Sequence, residues 1–143
     1  MVILDTDHLS VLERREQPAV GYLLRRLAEV SPLEVMTTVI SYEEQMRGWM
    51  AYIARARSMA QQITAYGRLL SHLESYRGIP VLGFDEAAAS QFQRLRRRHR
   101  RMGTMDLKIA AIVLSRNEIL LSRNLGDFGQ IPNLQVEDWT SPR

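Results

Sequence analysis

The 143-residue sequence contains no cysteine, and its only lysine, Lys108, stands against eighteen arginines. The absence of cysteine excludes disulfides and thiolate metal ligands, so any metal must be held by oxygen or imidazole groups. Arginine offers a planar fork that suits phosphate oxygens, and its excess over lysine therefore fits a nucleic-acid partner. A GC-rich genome would also enrich arginine, and both explanations stay open.

Long hydrophobic runs are missing as well. No apolar stretch approaches the ~20 residues that span a bilayer, and the opening MVILDTDHLS has carboxylates where a signal peptide needs a basic region and a long apolar stretch. We therefore expect no membrane segment and a cytoplasmic location. The length, with 45% hydrophobic and 24% charged residues, predicts one globular domain over residues 1–143.

Apolar periodicity predicts strands that alternate with helices. Strands are predicted at Met1–Asp5, Val35–Ile40, Ile79–Phe84, Ile119–Leu121 and Leu134–Val136. Helices are predicted from Asp7 or His8 to Glu13, from Pro18 to Leu27, over 41–76 with a break between Ala54 and Ser58, from Glu86 to about Arg100, and from Met105 to Leu114. This alternation is typical of an α/β fold with a mostly parallel sheet of four to five strands and helices on both faces. In such sheets ligands bind beyond the carboxyl ends of the strands, at a switch in strand order.

Acidic residues from separate parts of the chain fall at predicted strand ends or at the following helix starts. Asp5 directly follows the first strand, whereas Asp7 either points to the same side or caps the next helix. Glu44 lies just past the second strand. The spacing Ser41-x-x-Glu44 also has the pattern of a capping box, and Glu43 competes with Glu44 for either role.

Two further acids follow the later strands. Asp106 begins a nearly apolar and therefore buried helix, where Thr104 could be the cap and Asp106 could merely complement the helix dipole. Asp127 comes after the strand ILLS, in a segment where Asn, Gly and Asp are also favoured as turn residues. Capping alone does not require acids from four segments to meet at one edge of a sheet. Converging carboxylates repel and imply a cation, and oxygen ligands favour Mg²⁺ or Mn²⁺, which can promote phosphodiester hydrolysis.

Four motifs in order resemble the PIN-domain family, and most closely its VapC-type toxins. They are LDTDHLS, ISYEEQMRG, GTMDLKIAAIVL and LLSRNLGDFGQIPNL, and the resemblance runs over nearly the whole chain. The resemblance implies a PIN-like three-layer fold. It also implies a metal-dependent endoribonuclease that cuts cellular RNA, with tRNA and rRNA as candidate substrates, and blocks translation. A cognate antitoxin and a homodimer are implied as partners.

The same resemblance assigns site residues. The family's acids carry over to Asp5, to Glu44, which stands four residues before Gly48, and to Asp106. The fourth position is divided between Asn124 and Asp127, and because Asn124 adds no negative charge, Asp127 assisted by Asn124 is the expected fourth ligand of Mg²⁺ or Mn²⁺. Small polar positions around the family's site correspond to Thr6 and Ser122.

A basic segment, RLRRRHRR at residues 94–101, precedes Asp106. Its arginines are expected to bind RNA phosphates, although a solvated helix face would also explain them. They are Arg94, Arg96, Arg97, Arg98, Arg100 and Arg101. The three histidines, His8, His72 and His99, have no metal-ligand spacing and are expected to be structural or surface residues.

The predicted helical pair carries Trp49, Met50, Ile53 and Met59, which we expect to be ordinary core. The alternative is a groove for an antitoxin segment or a dimer face.

Two other functions stay open. LDTDH resembles the Asp-x-Asp opening of haloacid-dehalogenase-like phosphatases, although the lysine and the paired acids expected further along the chain are missing. A PIN-like RNA-binding or adaptor domain that has lost its metal is the second alternative, because Asn124 is uncharged.

Overall fold

The computed structural model describes all residues from 1 to 143 and contains five short strands and seven helices. The strands are β1 (Val2–Leu4), β2 (Val35–Thr38), β3 (Val81–Leu82), β4 (Ile119–Leu121) and β5 (Gln135–Glu137). The helices are α1 (Thr6–Arg14), α2 (Ala19–Leu27), α3 (Val39–Ala54), α4 (Met59–Tyr76), α5 (Glu86–Arg98), α6 (Thr104–Arg116) and α7 (Leu125–Phe128), and a single 3₁₀ turn covers Pro32–Glu34. Every predicted element is present, and only α7 and the 3₁₀ turn were not predicted.

All strand pairs are parallel, and the sheet order is β3-β2-β1-β4-β5. The predicted α/β class with a parallel sheet is therefore confirmed. From the central β1 the chain builds outward through β2 and β3, and then returns to place β4 on the other side of β1. The carboxyl ends of β1, β2 and β4 consequently meet at one edge, around the switch in strand order where ligands bind in such sheets.

Two hydrophobic cores cover the two faces of the sheet. Successive side chains of a strand point to opposite faces. Ile3 and Leu120 accordingly join the larger core with α5, α6 and α7, whereas Leu4 and Leu121 join the smaller core with α1 and α2. The sheet thus has helices on both faces, as predicted. Because α6 is buried over most of its length, it holds its first turn, and with it Asp106, firmly against the sheet.

Three helix starts differ from the prediction. The N-cap of α3 is Thr38, whose side chain accepts a hydrogen bond from the Ser41 N–H at 3.1 Å, so the alternative of a capping box with Ser41 at the N-cap is excluded. Asp5, and not Asp7, caps α1. Gly103 precedes α6, which excludes the alternative of a cap at Thr104. At α3 the β-branched Val39 and Ile40 suggested a longer strand, but the Thr38 cap starts the helix there, and of the two only Ile40 is buried in the larger core.

The helices α3 and α4 form an antiparallel hairpin, as predicted, because Trp49 lies near His72 and Tyr42 lies near Tyr76. The expectation that the apolar residues of this pair are ordinary core is wrong for Met50 and Met59, which are 46% and 69% exposed. The reason is that α4 packs mainly on α3 and not on the sheet. Further exposed apolar residues of α4 are Ile63, Tyr66, Leu70 and Leu73. None of the seven helices combines the length and the apolar character needed to cross a membrane.

Candidate active site

Asp5 lies at the end of β1, where its backbone leaves the sheet and its side chain caps α1. Its Oδ1 accepts a hydrogen bond from the Thr6 N–H at 2.7 Å, and its Oδ2 accepts one from the Ser122 hydroxyl at 2.7 Å. Burial, followed by the charge of Asp7, raises the pKa of Asp5 to about 7, although the two hydrogen bonds oppose this shift. Asp5 is 6% exposed, so this carboxylate is held out of water at the edge of the site.

Glu44 lies in the second turn of α3 and not at its cap. The Thr6 hydroxyl donates a hydrogen bond to its Oε1 at 3.1 Å, which joins α3 to the start of α1. Burial raises the pKa of Glu44, and the charge of Asp106 raises it further. The neighbouring Glu43 instead pairs with Arg47 at the surface. Of the two glutamates, it is therefore Glu44 that faces the other acids.

Asp106 and Asp127 complete the acidic edge. Burial raises the pKa of Asp106, and the charges of Asp127 and Asp7 add to the effect. Asp127 lies in α7, which Asn124 caps. The side-chain Nδ2 of Asn124 donates to Oδ2 of Asp127 at 3.1 Å, and its Oδ1 accepts from the Asp127 N–H at 3.4 Å. Asn124 therefore orients Asp127.

Asp7 also belongs to the cluster, although the sequence left it open between a cap and a site residue. Its Oδ2 accepts a hydrogen bond from the Arg123 N–H at 2.9 Å and lies 3.3 Å from the Ser122 hydroxyl. Its Oδ1 lies 2.8 Å from Nδ1 of the fully buried His8. Because Nε2 of His8 accepts a hydrogen bond from the Trp139 N–H, the proton of a neutral ring is on Nδ1 and is donated to Asp7. The Asp-x-Asp-His spacing was the one signal in the sequence for this arrangement.

The four predicted acids have no cationic partner within the protein. No Arg, Lys or His nitrogen lies within 4.0 Å of the carboxylates of Asp5, Glu44, Asp106 or Asp127. A set of uncompensated carboxylate oxygens fits a hard divalent cation such as Mg²⁺ or Mn²⁺. As the side chains stand, no three acids or histidines are close enough to hold an ion together. Mg²⁺ usually keeps several waters and binds one or two carboxylates directly, so the remaining acids of the edge would face it through bound waters.

The basic segment at residues 94–101 lies largely at the surface. All six of its arginines are exposed, and none forms an ion pair. The segment covers the last turns of α5 and the start of the connection to α6, and α5 packs along α6. The arginines therefore lie on the helix next to the one that carries Asp106. His99 is the C-cap of α5, whereas His8 and His72 are buried.

A family model described as the PIN domain matches residues 2–133. The chain belongs to the PIN-domain family. The family match and the fold confirm the predicted PIN-like, VapC-type resemblance and remove the support for a haloacid-dehalogenase-like phosphatase. No curated protein matches the sequence.

Solved structures resemble this PIN domain over nearly its full length. A chain of the VapBC-1 structure from nontypeable Haemophilus influenzae is 25% identical with a TM-score of 0.71, and the alignment covers 99% of this chain and 100% of that one. A chain of VapBC2 from Rickettsia felis, bound to a DNA fragment from its promoter, is 21% identical with a TM-score of 0.73 and coverages of 97% and 99%. A chain of DNA-bound VapBC from Salmonella typhimurium is 22% identical with a TM-score of 0.74, and the alignment covers 96% of this chain and 97% of that one.

Proposed function

We propose that this PIN domain is a Mg²⁺- or Mn²⁺-dependent endoribonuclease and the toxin of a toxin–antitoxin pair. The observation that carries the proposal is the convergence of Asp5, Glu44, Asp106 and Asp127 at the carboxyl edge of the sheet without any cationic partner. Burial raises the pKa of the first three, so the edge is electrostatically unfavourable unless a cation compensates it.

These four acids are the proposed metal ligands and catalytic residues. A divalent cation bound by them would lower the pKa of a bound water and stabilise the charge of an RNA phosphodiester during hydrolysis. Hydrogen bonds from neighbouring residues orient the ligands: Ser122 holds Asp5, Thr6 holds Glu44 and Asn124 holds Asp127. We propose Asp127, and not Asn124, as the fourth ligand. Asp127 carries a negative charge that acts on Asp106, whereas Asn124 is uncharged.

The six arginines of the basic segment are the proposed binding site for RNA phosphates. Exposed and unpaired guanidinium groups next to the helix of Asp106 would hold a polyanion close to the acids and make its binding sensitive to salt. Cellular RNA, with tRNA and rRNA as candidates, is the proposed substrate, and its cleavage would stop translation.

We also propose a cognate antitoxin and a homodimer as partners. The similar solved structures, which are of VapBC assemblies, support the antitoxin, and the homodimer rests on the family resemblance alone. The exposed apolar residues of α3 and α4 offer surface for such partners, since large apolar patches on a protein mark interaction sites.

A cleavage assay on a labelled RNA tests the enzyme directly. The protein should cut RNA with Mg²⁺ or Mn²⁺ and stop when EDTA is added. Asp106→Asn should reduce cutting by more than about a hundredfold, because even the outer partners of metal ligands typically contribute 10–100-fold. Glu43→Gln is the matched control, since Glu43 lies beside Glu44 but pairs with Arg47.

The assay also decides between catalysis and the adaptor alternative. Binding of RNA by the wild type without any metal-dependent cutting would favour a PIN-like binding domain in which the uncharged Asn124 marks a lost site. Cutting that persists in EDTA or in Asp106→Asn would overturn the proposed mechanism.

A further inference from the structure

A cleft lies between α1, α3 and α4 and opens beside the acidic edge. Its volume is about 930 Å³, near the upper end of the range of about 300–1,000 Å³ for ligand pockets. Thr6 and Glu44 form the end of the cleft at the acidic site, whereas Asp5, Asp106 and Asp127 do not line it. The cleft is therefore a separate space that shares one wall with the site.

In contrast to the acidic site, the cleft has three arginines in its lining against two glutamates, Glu13 and Glu44. Arg14, Arg55 and Arg68 line it, all three are exposed, and none of them forms an ion pair. Two aromatic rings, Trp49 and Tyr52, line it as well and meet edge to face at 5.8 Å between ring centroids. Arg68 lies over the Tyr52 ring at 5.3 Å. Guanidinium groups beside accessible aromatic rings are the combination that binds the phosphates and bases of single-stranded nucleic acid.

Gly48 leaves the wall of the cleft without a side chain at the turn after Glu44. It lies in the middle of α3, where glycine is about 1 kcal/mol less favourable than alanine. A Cβ atom at this position would meet nothing within 4 Å, so packing within the protein does not require glycine. Because Gly48 lines the cleft one turn after Glu44, a side chain there would instead occupy the space next to that acid.

The deep wall of the cleft carries a polar group without a partner. His72 is 2% exposed and its Nδ1 lies 2.6 Å from Glu13, but its buried Nε2 has no hydrogen-bond partner. Buried polar atoms are nearly always satisfied, and one on the wall of a cavity can be satisfied by a polar ligand.

We infer that this cleft binds a single-stranded segment of the RNA substrate, with Arg14, Arg55 and Arg68 on its phosphates and Trp49 and Tyr52 against a base. The inference deepens the proposed nuclease function and rests on it. An RNA strand fits better than an acidic peptide, because the cleft ends at Glu44, where a scissile phosphate must lie if the acids cut RNA. An acidic peptide would bring no base to the aromatic rings, whereas each nucleotide of RNA brings both a phosphate and a base.

Fluorescence anisotropy with a labelled single-stranded RNA of twelve nucleotides and mixed sequence tests the inference. All variants are made in the Asp106→Asn background, so that the probe stays intact and binding is measured apart from catalysis. Arg55→Ala with Arg68→Ala should lower the affinity by at least about tenfold. Arg57→Ala with Arg77→Ala is the matched control, because it removes the same charge from exposed positions of the hairpin outside the cleft, and it should change the affinity less than about threefold.

Gly48→Gln provides a second test that does not alter charge. It should weaken RNA binding by at least about fivefold while the protein keeps or gains thermal stability. Gly67→Gln is its control, since Gly67 also lies mid-helix with nothing near its Cβ position but outside the cleft, and it should leave RNA binding unchanged. Weaker binding by Trp49→Leu would support the stacking role.

Equal effects of the two arginine pairs, or no effect of Gly48→Gln, would overturn the cleft as the RNA site. Loss of affinity for duplex RNA of the same length, with single-stranded binding intact, would overturn it too. The proposed function fails separately, in the cleavage assay on the wild-type protein.

Discussion

The acidic edge and the arginine-lined cleft meet at Glu44, and each keeps its charge unpaired. Some surface charges elsewhere are paired, as in Arg26 with Glu137, Arg123 with Glu16 and Arg143 with Glu29, whereas the six arginines of the basic segment are unpaired like those of the cleft. The two regions differ in burial. The carboxylates are buried or half-buried and their pKa values rise, whereas the arginines of the cleft are exposed and solvated. The lack of a counter-charge therefore destabilises the folded protein at the buried acids, whereas water solvates the exposed arginines.

This difference indicates two kinds of ligand. A compact divalent cation can enter a buried cluster and compensate several carboxylates at once, and the protein without it is destabilised. An exposed set of arginines costs little when empty and suits a long, flexible polyanion. Variants that remove charge from one region at a time test whether the two regions bind different ligands.

The largest expected effect on stability comes from Asp5→Asn in metal-free buffer. The folded-state pKa of about 7 is above the ordinary 3.8, so the folded protein binds more protons than the unfolded chain between these values. Stability is then lost as the pH rises through this window. Asparagine keeps the N-cap but has no charge, and the variant should be more stable at pH 7.5 by up to about 4 kcal/mol, at 1.36 kcal/mol per pKa unit.

Urea unfolding in EDTA at pH 4.5, 6 and 7.5 measures this prediction. The difference between variant and wild type should shrink towards zero at the acidic end. A wild type that is the more stable protein at pH 7.5, or a difference independent of pH, would contradict the electrostatic account of the acidic edge.

The next largest effect is expected on the rate of RNA cleavage, from substitution of Asp127. Asp127→Asn should lower the rate of RNA cleavage by about a hundredfold if Asp127 is a ligand. Asn124→Ser keeps a capping side chain but loses the amide that holds Asp127, and it should cost about tenfold, as outer partners of ligands do. Single-turnover cleavage rates compare the two. The reverse order would make Asn124 the more direct participant.

Among the positively charged residues, the double variant Arg97→Ala with Arg98→Ala tests the basic segment. RNA binding should weaken several-fold, and the slope of log affinity against log salt should fall by up to about 2, since each phosphate contact contributes about 1. Circular dichroism should show an unchanged fold, because both side chains are exposed and make no ion pair. Unchanged affinity at low salt would remove the segment from the RNA-binding surface.

The smallest effect concerns the cap that sets the position of Glu44. Thr38→Ala should lower the free energy of unfolding by about 1 kcal/mol, the usual value of an N-cap side chain. Ser41→Ala should cost less, because Ser41 is not the cap. Thermal or chemical unfolding of both variants checks the order, and a larger loss in Ser41→Ala would restore the capping box and weaken the case for Glu44 as a site residue.

Much of the fold could be predicted from the sequence because its signals are local. The run ILL at 119–121 is a strand with the predicted bounds, and α5 begins at the predicted Glu86. The order of strands could also be inferred, since alternating strands and helices favour a parallel sheet with its ligand site at the switch point. Asp5 and Asp106 were identified on this basis, and the structure brings both to that edge.

Other features depend on contacts between distant residues and have no local signal. Ser41-x-x-Glu44 fits a capping box as well as a site, and only the hydrogen bond from Thr6, 38 residues earlier, shows what Glu44 faces. The apolar face of α4 has the period of a core helix, but no sheet lies beneath it. The contact of Asp7 with Arg123 is equally remote in sequence.

Titration of Mn²⁺ into the metal-free protein, followed by calorimetry and by the melting temperature, tests the central claim most directly. The wild type and the Glu43→Gln control should bind Mn²⁺ and melt at higher temperature, whereas Asp106→Asn should lose most of the binding and of the stabilisation. Absence of Mn²⁺ binding by the wild type, or equal binding by Asp106→Asn, would contradict the claim that the acidic edge is a metal site.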